Sequence, residues 1–426
     1  MSFYKYYNLL KSEFVKSTLT LMTGTILAQG ISLLIFPILS RIYSPSEFGA
    51  ITLYMSIVGA FAIIATTQYE KAIVIASDDL EAYSLLKISH FVGIGISVLN
   101  LAIVLIFVLI FGNHFNLTTI FKNWLYLMPV FTLMFGSSQA ITHLFIRDKS
   151  FKAIAMSKII NSLGINVSML LLGFLGMGII GLYLANIIGV LLTSLYLIWV
   201  YYQKKYNTLK QNSSLISIAK KYIDFPKTNS LQALVEMFQM NGIVYLLGIF
   251  FNAACIGLFS FSMKVLMAPM WLIGTSISHV FFQKASEEYL RTHNLRVLFK
   301  KAVINSSLIA TPILIAMLIF GPTIFALVFG EEWREAGSYA RILAPWIFLD
   351  FVKAPVSQIP VITGRIKSMF FITLMGNVIL ILSMIYGGGI LKNEKSSFII
   401  LSFTMCIYVI LLLIWIYKVS IKKDGN

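Results

Sequence analysis

LLKISHFVGIGISVLNLAIVLIFVLIF, Leu85 to Phe111, carries a single charge, Lys87, near its start. A hydrocarbon core of roughly 30 Å asks about twenty apolar residues of a helix, and this run supplies them. Lipid offers no partner to a backbone amide, so such a segment must close its hydrogen bonds internally. The ten-residue alternation of a membrane barrel is absent, which leaves an α-helix.

Working outward, eleven further runs of this kind lie near 19–39, 48–66, 124–146, 153–175, 178–201, 230–251, 254–282, 302–328, 338–361, 368–387 and 397–417. Twelve transmembrane helices are therefore expected in an all-α membrane protein. The composition agrees: 58% of the 426 residues are apolar and 12% charged, with a mean hydropathy of +0.86. A soluble domain carries roughly 25% charged residues. Lys5, Lys11, Glu13 and Lys16 precede the first run with no small-residue cleavage pattern, so that run is expected to stay as an anchor.

The formal charge of +16 comes from 33 Lys and Arg against 17 Asp and Glu. Both nucleic acid and a membrane surface would accept it, and the loops decide between them. With both termini cytoplasmic, inner segments hold 24 of the basic residues and outer loops six. The remaining three, Lys158, Lys264 and Lys353, lie inside spans. Basic residues near span ends are retained on the cytoplasmic side, so the excess reads as orientation and no nucleic-acid partner is expected.

The polar stretch Gln203 to Lys227 divides the chain into an N-terminal lobe, 1–202, a cytoplasmic linker, 203–228, and a C-terminal lobe, 229–426. FGAITLYMSIV (Phe48–Val58) and IGLFSFSMKVL (Ile256–Leu266) open the second and eighth runs, and in each a Gly is followed six residues later by Met. This is the trace expected of two related halves.

Enzymatic chemistry is thinly represented. No GxxxxGK[ST], HExxH or GxSxG occurs. The GxGxxG of Gly176, Gly178 and Gly181 sits between two spans with no strand before it, so it reads as a tight hairpin and not as a dinucleotide site. His90, His114, His143, His279 and His293 are scattered singly, and Cys255 and Cys406 lie in apolar runs. Neither a metal nor a cofactor is expected, and the Cys read as packing residues. The longest outer loop, Gly112 to Asn123, holds His114, Lys122 and no acid, too little for a glycan polymerase or ligase.

Charges inside spans are the informative exceptions, because one at the bilayer centre costs about 2.5–3.5 kcal/mol on insertion scales. Lys264 and Lys353 are too deep for easy snorkelling, whereas Lys158, near a span end, is not. Asp350 stands three residues before Lys353, on one helix face, and Glu236 is the other acid within a span. Two readings follow: structural ion pairs, Asp350 with Lys353 and Glu236 with Lys264, or lysines lining a hydrated cavity for an anion. Pro37, Pro269, Pro312, Pro345, Pro355 and Pro360 lie in or near spans, and the three in the tenth predict a bent helix there.

TGTILAQGISLLIFPILSRIYSPSEFGAITLYMSI (Thr23–Ile57) with QYEKAIVIA (Gln68–Ala76), and FGEEWREAGSYARILAPWIFLDFVKAPVSQIPVITGR (Phe329–Arg365), resemble the signatures of bacterial polysaccharide flippases. These belong to the superfamily of multidrug, oligosaccharidyl-lipid and polysaccharide exporters. The RxYSPxxFG element, Arg41–Gly49, and the GxxWxxAG element, Gly330–Gly337, carry most of the specificity. The resemblance implies two six-helix lobes in a V, as in multidrug exporters of the superfamily. It implies as substrate an undecaprenyl-pyrophosphate-linked oligosaccharide, an O-antigen or capsular repeat unit, moved across the inner membrane to the periplasmic leaflet. Membrane lipid, and the polymerase and chain-length proteins of the pathway, are the implied partners. The family's cavities are typically cationic, with which Arg41, Lys71 and Lys353 agree; together with Lys264, singled out by its depth in a span, these are the substrate candidates. Glu236, Asp350 and Glu70 are the candidates for coupling to a proton or sodium. The rivals are a multidrug exporter of the same superfamily, which would favour acidic or aromatic cavity residues, a membrane glycan polymerase or ligase, and a non-transporting scaffold, which would not need deep lysines.

Overall fold

The computed structural model describes residues 13–111, 123–204 and 214–421. Most of the Gly112–Asn123 loop, part of the linker and both chain ends, with Lys5, Lys11, His114, Lys122, Lys422 and Lys423, lie outside the described residues. Within them the chain is almost wholly helical, with one isolated bridge, Asn294 to Ile421, and no strand.

The helices are α1 (Glu13–Ile42), α2 (Pro45–Ile63), α3 (Tyr69–Ile75), α4 (Asp79–Phe111), α5 (Met128–Arg147), α6 (Phe151–Phe174), α7 (Gly178–Gln203), α8 (Leu215–Lys221), α9 (Ser230–Phe250), α10 (Ala253–Thr292), α11 (Arg296–Phe329), α12 (Arg334–Val356), α13 (Ile359–Ile362), α14 (Ile366–Met384) and α15 (Glu394–Val419). Each expected apolar run coincides with one of the long helices. Among the described residues nine helices are long and apolar enough to cross a membrane, and the bent pair Phe225–Phe238 and Met240–Phe250 would make a tenth. Their outward faces are apolar: Leu34, Leu109, Phe174 and Leu327 are exposed. In water such surfaces would aggregate; against lipid they are the matched solvent. The chain is a multi-pass membrane protein.

The fold separates into two compact units, one of Met1–Tyr43 with Leu53–Asn241, the other of Ser44–Thr52 with Gly242–Asn426. The first unit has a core of Tyr69, Ile73, Leu85, Leu144, Phe145 and Ile218. In the second, Phe281, Phe299, Val356, Ile359, Leu412 and Ile416 form an equivalent cluster.

Local chemistry explains the helix starts and breaks. At α2, the Ser44 amide donates to Glu47 Oε2 (2.8 Å) and the Glu47 amide to Ser44 Oγ (3.4 Å), a reciprocal cap. Pro45 takes the first helical position, where its missing N–H is not needed. At α10 the side chain of Asn252 accepts from the Cys255 amide at 2.9 Å. Gly176 and Gly178, at φ 70° and 52°, turn α6 into α7, so the GxGxxG is the hairpin its position predicts. In the tenth run α12 continues through Pro345 and Pro355 to Val356 and α13 begins at Ile359 with Pro360 in its first turn; the two make one span, Glu331–Ile362, interrupted only ahead of the third proline.

Candidate functional site

Lys353 and Asp350 form an ion pair one turn apart on α12. The lysine side chain is 21% exposed and the aspartate 36%, while Phe351 and Val352, the residues between them in sequence, are buried. Lys353 and Asp350 are thus partners in this structure.

Lys264 is exposed on α10, in the same unit. Two contacts set α10 against α12. Ser262 Oγ donates to the Ala336 carbonyl at 2.6 Å, and the backbone at Gly274 lies against the Phe351 ring. The helices run in the same direction, and each lysine stands two residues beyond one of these contacts. Lys264 and Lys353 therefore occupy levels separated by the rise from 262 to 274, about 18 Å along the bundle. At that separation the two ammonium groups are too far apart to grip one phosphate.

The remaining candidates lie in the first unit. Arg41 is exposed in the last turn of α1, and Lys71 is exposed on α3. Glu70, its neighbour, is buried and accepts a hydrogen bond from Thr66 Oγ1. Glu236 is exposed on α9 and accepts from Gln232 Nε2 at 2.9 Å. Lys158 donates to Thr25 Oγ1 at 3.0 Å.

Some polar centres have no trace in sequence spacing. Glu81, in the first turn of α4, accepts from the amide and hydroxyl of Ser77, from Lys221 and from Tyr222. Its carboxylate raises the Lys221 ammonium above the usual lysine range. Tyr69 OH donates to the Ala219 carbonyl at 3.1 Å, so α8 is held to the first unit by side chains on α3 and α4. Nearby, Arg147 donates to the Ala76 carbonyl (2.7 Å) and pairs with Asp79 (3.2 Å). In the second unit Tyr339 donates to Glu394, and Lys395 pairs with Glu335 at 2.9 Å. The long-range partners, 55 to 150 residues apart, leave no local pattern; acids at helix starts are the hint the sequence offers.

The two signature elements converge. Phe48 packs edge-on against Trp333, with ring centroids 5.4 Å apart, and Trp333 stacks on Phe261 at 3.9 Å. The sequence profile of the family described as polysaccharide biosynthesis protein matches residues 38–338, a span that contains both elements. The chain belongs to the polysaccharide biosynthesis protein family.

Solved structures place this family member's fold. It is similar to the lipid II flippase MurJ in an inward closed conformation, with a TM-score of 0.69 and 13% identity over 95% of this chain and 90% of that one. An inward-facing multidrug resistance MATE family transporter of the MOP superfamily gives 0.66 and 14% over 94% of each chain. A MOP superfamily transporter from Pyrococcus furiosus gives 0.59 and 12% over 95% and 96%. No curated protein sequence matches. Over the described residues the helical fold is similar to that of these transporters and flippases.

Proposed function

We propose that this protein is a flippase that moves an undecaprenyl-pyrophosphate-linked oligosaccharide, an O-antigen or capsular repeat unit, from the cytoplasmic to the periplasmic leaflet by alternating access. The observation that carries the reading is the pair of lysine stations, Lys264 and Lys353, on adjacent helices of one unit in a polysaccharide biosynthesis protein. The physical task is to carry two phosphates and a sugar headgroup through hydrocarbon while the prenyl tail remains in it. An ammonium group replaces part of the phosphate hydration and, as a point charge of little directionality, also releases it. Two stations about 18 Å apart along the axis suit a hand-over better than a single tight site. The fold shared with a lipid II flippase supports the same cargo class.

On this reading twelve helices cross the inner membrane, both termini are cytoplasmic, and 203–228 links the lobes 1–202 and 229–426. Arg41 and Lys71 are further substrate contacts. A drug exporter of the same fold would present acids to its cationic cargo, and the deep lysines speak against that.

Deleting the gene tests the proposal. Lipid-linked repeat units should accumulate on the cytoplasmic face and polymer should disappear from the surface. Full-length surface polymer in a strain with no second flippase would defeat it.

A further inference from the structure

Between α2 and α3 the helix is interrupted over Ile64–Gln68, and the interruption is built in a costly way. Thr67 and Gln68 stand at φ 47° and 63°, in the left-handed region that a β-branched residue enters only at a cost. No glycine relieves either position. The break is also buried: Ala65, Thr66, Gln68 and Glu70 are each 5% exposed or less. Gly136 of α5 makes room for it, since a Cβ there would lie 2.8 Å from that of Ala65 and 3.2 Å from Thr66 Cγ2.

Three polar side chains within five residues share this buried break, and their hydrogen bonds do not balance. Gln68 Nε2 donates to the Ile63 carbonyl at 2.6 Å. That bond fixes which end of the amide is nitrogen, because a carbonyl cannot accept from Oε1. Gln68 Oε1 is left buried with no donor among the described residues. Glu70 receives one hydroxyl donor, Thr66 Oγ1, and none of the ion pairs among the described residues includes it. A buried carboxylate without a cationic partner is strongly unfavourable, as is a buried acceptor without a donor. Both deficits are of one sign: the break holds buried oxygen acceptors, and among the described residues no cation is paired with them.

We infer that the Thr66–Glu70 break is a binding site for a monovalent cation of sodium size, with the Glu70 carboxylate, Gln68 Oε1 and the Thr66 hydroxyl as its oxygen donors. Oxygen-only ligands are what hard cations take, and interrupted membrane helices supply them in ion-coupled transporters. A proton on Glu70 would neutralise the charge but requires neither the left-handed backbone nor the amide oxygen, so the geometry favours the cation. Among the acids read from the sequence, this selects Glu70 over Glu236 and Asp350. A role in driving transport rests on the flippase reading; the binding itself does not.

The test uses purified full-length protein with no glycan present, melted in sodium chloride and in choline chloride at equal ionic strength. Sodium is expected to raise the wild-type midpoint by a few degrees, because a ligand of the folded state alone stabilises it. Glu70→Gln should lose that rise. It should also melt no lower than wild type in choline, since it removes an unpaired buried charge. Glu70→Asp, which keeps the charge but draws it back, should shift the sodium concentration for half effect upward about tenfold, the size of one displaced ligand bond. The exposed substitution Glu332→Gln should leave the rise intact. Identical wild-type midpoints in the two salts, or a full sodium effect in Glu70→Gln, overturns the proposal. Should Glu70→Gln fail to fold, direct binding of radioactive sodium to wild type and Glu70→Asp decides, and absence of binding to wild type is the overturning result. None of these outcomes bears on whether deletion abolishes surface polymer, so the two readings fail separately.

Discussion

Gly49 and Gly257 are reciprocal contacts. A Cβ on Gly49 would fall 1.6 Å from the carbonyl oxygen of Ala253, and a Cβ on Gly257 would fall 1.8 Å from that of Pro45. Each glycine thus meets the residue four places before the other. Their helices start alike, since Ser44 caps α2 and Asn252 caps α10, each five residues ahead of its glycine. The crossing has local two-fold character, and its members are the two segments in which Gly precedes Met by six residues.

Backbone-to-backbone approach this close leaves no room for even one methyl group. Gly49→Ala and Gly257→Ala should each cost about 3 kcal/mol, the upper range for an overpacked core. Membrane abundance and the melting midpoint measure it. Gly30→Ala, in α1 where a Cβ meets nothing within 4 Å, is the matched control and should be neutral or slightly stabilising. A Gly49→Ala protein as abundant and as stable as Gly30→Ala would show that the helices do not cross here.

Trp333 closes the same region from the other signature. It is fully buried, stacked on Phe261 and met edge-on by Phe48. Trp333→Ala should destabilise by about 3–5 kcal/mol, whereas Trp333→Phe retains a ring for both partners and should lose much less. A thermal melt of the purified variants checks the order. Equal midpoints for the two would mean that the stack contributes nothing.

How far residues can be read from the chain depends on the distance over which they interact. The helices were legible because lipid imposes a length and an apolar composition on each run separately. The Asp350–Lys353 pair was legible because three residues along a helix put two side chains on one face. The interruption between Val356 and Ile359 lies just ahead of Pro360, which lacks a backbone donor. By contrast, Glu70 and Lys71 are adjacent in sequence yet one is buried and the other exposed, a distinction set by the packing of α3. Glu81 and Lys221 are 140 residues apart, and no periodicity joins them. Lys264 and Lys353 look alike in the sequence, each a lone lysine deep in a span, and only the contacts at Ser262 and Gly274 put them on different levels.

Those levels yield a functional prediction. Lys353→Ala and Lys264→Ala should each reduce export of surface glycan at least tenfold, the loss expected for a charge-assisted contact worth about 1.4 kcal/mol or more, with membrane abundance unchanged. For Lys353 the ion pair supplies a second comparison. If the lysine served only to neutralise Asp350, the double variant Asp350→Ala/Lys353→Ala would restore export, because removing both charges leaves neither unpaired. The flippase reading expects no restoration. Glycan quantification on the cell surface, normalised to membrane protein level, separates the two.

Glu81 gathers four hydrogen bonds, two from Ser77 and one each from Lys221 and Tyr222, and through the last two it fastens α8. The helix's other holds are the Tyr69 bond to the Ala219 carbonyl and the packing of Ile218, with Leu215 and Ala219, on the core of the first unit, while Ile216 and Lys220 face outward. Glu81→Gln keeps the volume but exchanges a charged acceptor for a neutral one, weakening each bond by about half. Since Lys221 is exposed, most of the loss should be local and not global. The measurement is limited trypsin digestion, which cuts after Lys220 and Lys221 once the helix lifts. Cleavage in Glu81→Gln should be several-fold faster than in wild type while the melting midpoint moves little. Cleavage at the wild-type rate would mean that burial of Ile218 and the Tyr69 bond hold α8 unaided; faster cleavage with a large fall in midpoint would make Glu81 a support of the whole unit.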